Sequence, residues 1–179
     1  EIYQNILAAK PDHANETHLL GVIAHQKGKN ELAINLISNA ITLQPNLAEA
    51  HNNLGIVQQK SSRLEEAIIN YRKALELKPD FAQAHGNLGL AFKDLGRLED
   101  AISCYRSALD FKPDFTEALC NLGNALRQLN RLQEAIACYE KALFFQPDYL
   151  TAYISLGSIL RDVGKLEDAM SIYRKALEV

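Results

Sequence analysis

The sequence has few of the residues that mark specialised folds, and each shortage excludes something. It holds only three cysteines, Cys104, Cys120 and Cys138, none in a CxxC pair. An odd number at such spacings gives neither a disulfide framework nor a zinc site. Cys104 and Cys138 fall at equivalent places on successive helices, where a bridge would need a geometry that parallel neighbours rarely supply. Free, mostly buried thiols are expected, and they fit a reducing compartment, so the expected location is cytoplasmic. No apolar run approaches the ~20 residues of a membrane helix, and no signal-peptide pattern opens the chain. The formal net charge is -3. Without a clustered cationic excess to neutralise phosphate, neither nucleic acid nor a membrane is expected as partner.

What is present is repetition. The 179 residues are 47% hydrophobic and 23% charged, the balance of a soluble globular chain. All five prolines, Pro11, Pro45, Pro79, Pro113 and Pro147, stand 34 residues apart. Gly21, Gly55, Gly89, Gly123 and Gly157 keep the same step. So do Ala33, Ala67, Ala101, Ala135 and Ala169, and then Ala40, Ala74, Ala108, Ala142 and Ala176. Tyr71, Tyr105, Tyr139 and Tyr173 follow suit, with Ile37 in that slot of the first full unit. Chance does not hold four residue types in one register for so many rounds.

Each unit reads as two helices, most clearly over 82–115. Asp80 with Gln83 predicts an N-terminal cap with a returning hydrogen bond, and Asn46 with Glu49 and Asp114 with Glu117 repeat it. Gly96 predicts the end of the first helix, with Gly28, Ser62, Asn130 and Gly164 as counterparts. Of these, Ser62 is the poor fit. A second helix is expected from Leu98 to about Phe111, stopped by Pro113. Gly89 lies within a helix, where glycine costs ~1 kcal/mol relative to alanine, so a close approach is expected there. Ala101 and Ala108 are the expected facing positions, with Tyr105 filling the remaining space. Leu88, Leu95, Leu98, Ile102 and Leu109 extend an apolar stripe at helical spacing.

The pattern resembles the tetratricopeptide family, on the residues Leu54-Gly55, Ala67, Tyr71, Ala74 and Pro79 and their copies. That resemblance implies an all-α, right-handed superhelical solenoid of antiparallel helix pairs over residues 1–179. Full repeats are expected at 14–47, 48–81, 82–115 and 116–149, a nearly complete one at 150–179, and the end of a partial repeat at 1–13. One large position of the family is irregular here, reading Thr17, His51, His85, Leu119 and Tyr153. Glu1 falls mid-pair and Val179 ends on an apolar helix, so a fragment of a longer protein, or ends that associate with other copies, is expected.

In such a solenoid the first helices line a concave face, and positions 2, 5, 6, 9, 12 and 13 of each unit share one side at roughly 100° per residue. Position 6 gives a column of Asn53, Asn87 and Asn121, flanked by Leu19 and Ser155. Each amide offers donors and an acceptor, so the column can grip the backbone of an extended peptide. The N-L-G triplets are similar to the repeats of O-GlcNAc transferases and Spindly-type proteins, which implies an asparagine ladder on substrate polypeptides. The other reading is that asparagine is merely tolerated on a half-buried face. Asn52 and Asn124 add polar capacity, and Val22, Ile56 and Leu90 add apolar patches. Position 12 supplies Lys93, Arg127 and Arg161 after Gln59, which can attract acidic ligands or pair with Asp94, Glu117 and Asp162.

The family's clamp for a terminal carboxylate needs a lysine at position 5, which here reads His18, Asn52, Gly86, Cys120 and Ile154. No clamp is therefore expected. His51 and His85 repeat one packing position, and no phosphate loop, nucleophile elbow or HExxH is present. The expected function is a non-enzymatic scaffold for a protein or peptide ligand, needing no cofactor, with recruitment of substrates for a glycosyltransferase as its most specific form. A self-associating structural module is the alternative.

Overall fold

The computed structural model describes residues 13–179. Pro11, which belongs to the expected partial repeat, lies outside the described residues. The described chain contains ten α-helices joined by short turns and forms two compact units that divide between Ala91 and Phe92. That division falls inside a helix, not at a linker.

The first unit contains α1 (Ala14–Gln26), α2 (Asn30–Leu43), α3 (Ala48–Lys60), α4 (Leu64–Leu77) and most of α5 (Ala82–Asp94). Consecutive helices pack on one another from α1 to α4, and α1 also touches α3 directly. Leu20, Ala24, Ala33, Leu36, Ile37, Ala50, Leu54 and Val57 form one core. The second unit holds α6 (Leu98–Phe111), α7 (Thr116–Gln128), α8 (Leu132–Phe145), α9 (Leu150–Asp162) and α10 (Leu166–Glu178). Its helices pack in the same consecutive way, with α7 also against α9. The tyrosine column supplies the largest buried side chains, Tyr71, Tyr105 and Tyr139, and the alanines around them are fully covered.

The turns follow the sequence reading at both ends of each second helix. Gly28, Gly96 and Gly164 have φ of 73°, 73° and 79°, and Asn130 and Ser62 adopt the same left-handed form at 58° and 60°. In all five turns the next N–H reaches back to close the helix end, as from Arg63 to the Gln58 carbonyl at 2.9 Å. Before each of the four described prolines the backbone turns extended, as at Lys78 (φ -140°, ψ 87°), because the proline ring disfavours the helical conformation there. Ser62 alone carries a side chain poorly suited to positive φ. Ser62→Gly is expected to stabilise the protein by about 1 kcal/mol, measured by urea denaturation, and Gly96→Ser to lose as much.

Two expectations are corrected. The N-terminal caps at Asn46 and Asp114 do not form: the cap residues are Leu47 and Phe115, and neither helix start has a side-chain cap bond. Leu47 packs against the core while Asn46 is exposed, so apolar burial sets the helix entry. Glu49 accepts from its own backbone N–H and from Lys78 Nζ (3.4 Å), and the former is the main reason its pKa is lowered. The mid-helix glycines make the expected close approach. A Cβ at Gly55 or Gly123 would lie 2.6 Å from the Tyr71 or Tyr139 ring, and one at Gly21 would lie 2.5 Å from Ile37 and 3.3 Å from the Ala33 carbonyl. The other correction concerns the apolar stripe, which is incomplete because Leu95 is exposed.

Candidate functional site

In the first unit, three of the expected asparagines form one chain of side-chain bonds with a histidine. Asn87 Nδ2 donates to Asn52 Oδ1 at 2.9 Å, and Asn52 Nδ2 reaches Asn53 Oδ1 at 3.5 Å. Asn53 Nδ2 then donates to His18 Nε2 at 2.8 Å. An amide nitrogen can only donate, so this bond fixes the His18 proton on Nδ1. Burial holds the His18 pKa below its ordinary value, against the opposing pull of Glu49, and the ring is neutral at pH 7. Asn52 is buried and serves as the fixed centre of the chain. Asn53 and Asn87 are half-buried, each with part of its amide unused by this chain.

The pairing is diagonal. His18 meets Asn53 and Asn52 meets Asn87, each across 35 residues rather than the 34 of a column. Each side chain therefore meets the residue one position further along the next first helix. His18, set aside in the sequence as a missing clamp lysine, is the partner that orients Asn53. A search at the 35-residue spacing finds it; a search by columns does not.

The same diagonal recurs in the second unit, where Arg127 bonds Asp162, 35 residues on, and also Ser158 Oγ at 3.2 Å. Asp162 accepts from Arg161 as well, at 3.0 Å, and the two guanidinium groups, Arg161 first, hold its carboxyl below the usual range. Lys93 lies 3.7 Å from Asp94. Each cation of position 12 thus has a carboxylate beside it, and such exposed pairs contribute little to stability. Asn124 Oδ1 accepts from the Tyr139 hydroxyl at 2.8 Å and so anchors the core. Asn121 is half-buried, and no side-chain bond to it is seen among the described residues.

The irregular large position has a chemical explanation. Thr17 Oγ1 donates to the His13 carbonyl at 3.0 Å. His51 Nε2 lies 3.0 Å from the Pro45 carbonyl and His85 Nε2 2.9 Å from that of Pro79. The two histidines therefore tie each first helix to the proline turn before it. Burial pushes the Cys120 thiol up to about 12 and that of Cys138 to about 11, so both stay protonated and unreactive near neutrality. Cys104 and Cys138 are half-buried, and Cys120 is buried. Among the described residues no cluster of three or more His, Cys, Asp or Glu could hold a metal, and no helix is long and apolar enough to cross a membrane.

One tyrosine is an exception to the tied pattern. Tyr71 and Tyr139 hydroxyls donate to Gln59 and Asn124, whereas the fully buried Tyr105 hydroxyl has no partner among the described residues. Burial raises its pKa far above that of an ordinary phenol. Tyr105→Phe is therefore expected to stabilise the protein by about 1 kcal/mol, and Tyr139→Phe to cost about 1 kcal/mol by orphaning the Asn124 oxygen. Denaturation curves of the two variants with opposite signs check the assignment.

Family models match the chain from residue 21 to residue 179. A TPR repeat model matches residues 21–62, 60–96 and 91–128, and tetratricopeptide repeat models match 116–149 and 150–179. No curated protein sequence matches the chain. Among solved structures, MamA is 26% identical with a TM-score of 0.81, over 88% of this chain and 92% of that one. PilF of Pseudomonas aeruginosa is 23% identical with a TM-score of 0.85, over 92% of this chain and 75% of that one. YrrB, a TPR protein with an unusual peptide-binding site, is 20% identical with a TM-score of 0.76, over 99% of this chain and 92% of that one. The last two likenesses show the fold alone. The glycine, alanine, tyrosine and proline columns, the left-handed turns and these matches agree, and the chain belongs to the tetratricopeptide repeat family.

Proposed function

We propose that this chain is a protein-binding scaffold that holds an extended polypeptide along the exposed faces of its first helices. The observation that carries the reading is the amide chain of the first unit. Asn52 is buried and fixes Asn53 and Asn87, while those two remain half-exposed with donors and acceptors to offer. A pre-oriented amide loses little freedom when it takes a peptide N–H or C=O, which favours binding with little regard for side chains. Asn121 presents the same group in the second unit. Lys93, Arg127 and Arg161, each shared with a carboxylate, add a screened attraction for acidic partners rather than a clamp. The reading has no catalytic step. Recruitment of substrates for a glycosyltransferase is its most specific form, and it rests on the N-L-G triplets of the sequence alone.

Affinity capture from host lysate tests it, comparing this chain with the Asn53/Asn87/Asn121→Ala triple variant by mass spectrometry. Partners held by the parent are expected to be lost from the variant, because three peptide-facing amides disappear while buried Asn52 remains. Retention of the same partners at the same yield would move binding away from the first-helix faces.

A further inference from the structure

Ion pairs join neighbouring second helices at two fixed spacings. At 32 residues, Arg63 at the start of α4 bonds Glu31 of α2 at 2.8 Å, and Arg131 lies 3.7 Å from Glu99 of α6. At 28 residues, Arg106 of α6 bonds Glu134 of α8 at 3.2 Å. The next seam of the second unit, between α8 and α10, follows neither pattern. There the longer spacing sets Lys165 against Gln133, and the shorter one sets Asp168 against Glu140. Two carboxylates thus meet where the preceding seam joins a guanidinium to a carboxylate. No ion pair to Glu140, Lys165 or Asp168 is seen among the described residues. Even Lys165 and Asp168 do not pair, although Arg131 bonds Glu134 in the same places at 2.8 Å.

The unmatched residues line an open groove of about 530 Å3, with Ile136, Ala137 and Ile172 along its walls. Leu156 and Leu160 of α9 are buried beneath it and close the floor. Apolar surface that other second helices cover is open here. Ile68 and Ile102, at the position of Ile136, are 8% and 2% exposed, whereas Ile136 is only half-buried. Glu140, Lys165 and Asp168 are exposed, and two acids against one lysine leave the groove net negative. A guest therefore meets a short apolar wall that ends between two carboxylates. An arginine side chain has that form: its methylene stem packs on apolar surface while the guanidinium stays at the rim. Its fork of N–H donors can serve both carboxylates at once, which the point charge of a lysine does less well.

We propose that the groove between α8 and α10 docks a partner protein through one arginine side chain, whose guanidinium enters between Glu140 and Asp168. The guest supplies in trans the charge that Arg106 supplies within the chain one seam earlier. This surface lies on the second helices, so it stands apart from the first-helix faces of the scaffold reading and does not depend on them.

The test is an NMR titration of the whole chain with hexapeptides Ser-Leu-Xaa-Ala-Gly-Ser, where Xaa is Arg, Lys, Gln or Glu. The Arg peptide is expected to shift the methyl signals of Ile136, Ala137 and Ile172. It should bind about tenfold more tightly than the Gln peptide, since each exposed ion pair contributes up to about fivefold. The Lys peptide should fall between them, and the Glu peptide should leave the signals unmoved. Glu140→Arg recreates the Arg106–Glu134 pairing one repeat later and should abolish the preference for Arg. Glu140→Gln, which keeps the shape of the side chain, should reduce that preference should the first variant fail to fold. Equal binding of the Arg and Gln peptides, a preference that both variants retain, or no binding at all would overturn the proposal. A dimer of the parent that Glu140→Arg dissolves would give the groove to a second copy and overturn it equally.

Discussion

Gly123→Ala is expected to destabilise the protein by about 2 kcal/mol, although alanine is the better helix former by ~1 kcal/mol. The added Cβ would lie 2.6, 2.8 and 3.1 Å from the Cε1, Cζ and Cδ1 atoms of Tyr139. That ring has nowhere to go: it is fully buried, and Asn124 fastens its hydroxyl at 2.8 Å. Overpacking of a closed core costs roughly 1–3 kcal/mol, and a contact this short on an immobile ring belongs at or beyond the upper end. The gain in helix propensity offsets only part. Gly55→Ala should behave alike, because Tyr71 is 1% exposed and its hydroxyl is held by Gln59. Gly157→Ala is the control. Its Cβ would come equally close to Tyr173, at 2.5 Å, but that ring is only half-buried and can swing outward. Urea denaturation should therefore rank Gly123→Ala well below Gly157→Ala. Equal stabilities for the two would mean that the glycine column does not exist to admit the tyrosine ring.

That pairing shows how much of the fold was legible. The period, the helix pairs and the residues that must meet all stand in the sequence, because glycine, tyrosine and proline each act at a fixed distance along the chain. α6 runs from Leu98 to Phe111 as expected, and the left-handed turn at Ser62 holds even without glycine. The partners were less legible. Alanine was expected to face the glycine with tyrosine filling the remaining space, and the ring comes nearest at Gly55, Gly123 and Gly157, since a period tells which positions are equivalent and not how close each comes. Capping failed at Asn46 and Asp114 for a related reason: the polar signal competes with burial of the neighbouring Leu47 and Phe115, and only packing shows which wins. The site shows the same limit. Columns of Asn53, Asn87 and Asn121 are visible as a 34-residue repeat, but the bonds run along a 35-residue diagonal, and this brings in His18 and commits Asn52.

Asn52→Asp should test that diagonal most severely, with an expected loss of about 3 kcal/mol at pH 7. The substitution changes one atom and no volume, so packing stays as it was. The oxygen that accepts from Asn87 remains, but the nitrogen that faced Asn53 Oδ1 at 3.5 Å becomes an oxygen. Asn53 must then either tolerate two facing acceptors or turn its amide over, which presents an oxygen to His18 and moves the ring proton to Nε2. Neither course supplies a counter-charge, and the site is 3% exposed. Burial therefore raises the new carboxyl's pKa above the unfolded value of about 3.9. The sign follows from linkage: the penalty is absent below about pH 4, where the group is protonated in both states. It grows as pH rises and levels off above the folded pKa. Each measurement must be referred to the parent at the same pH, because His18, whose pKa is lowered on folding, takes up its proton more readily in the unfolded chain. The parent itself therefore weakens below about pH 6.5. A difference in stability that fades between pH 7 and pH 4 places Asn52 in a closed chain of amides with no room for charge. A difference that is small, or the same at both pH values, would mean that water reaches Asn52 and that Asn53 and Asn87 are not held in place for a partner.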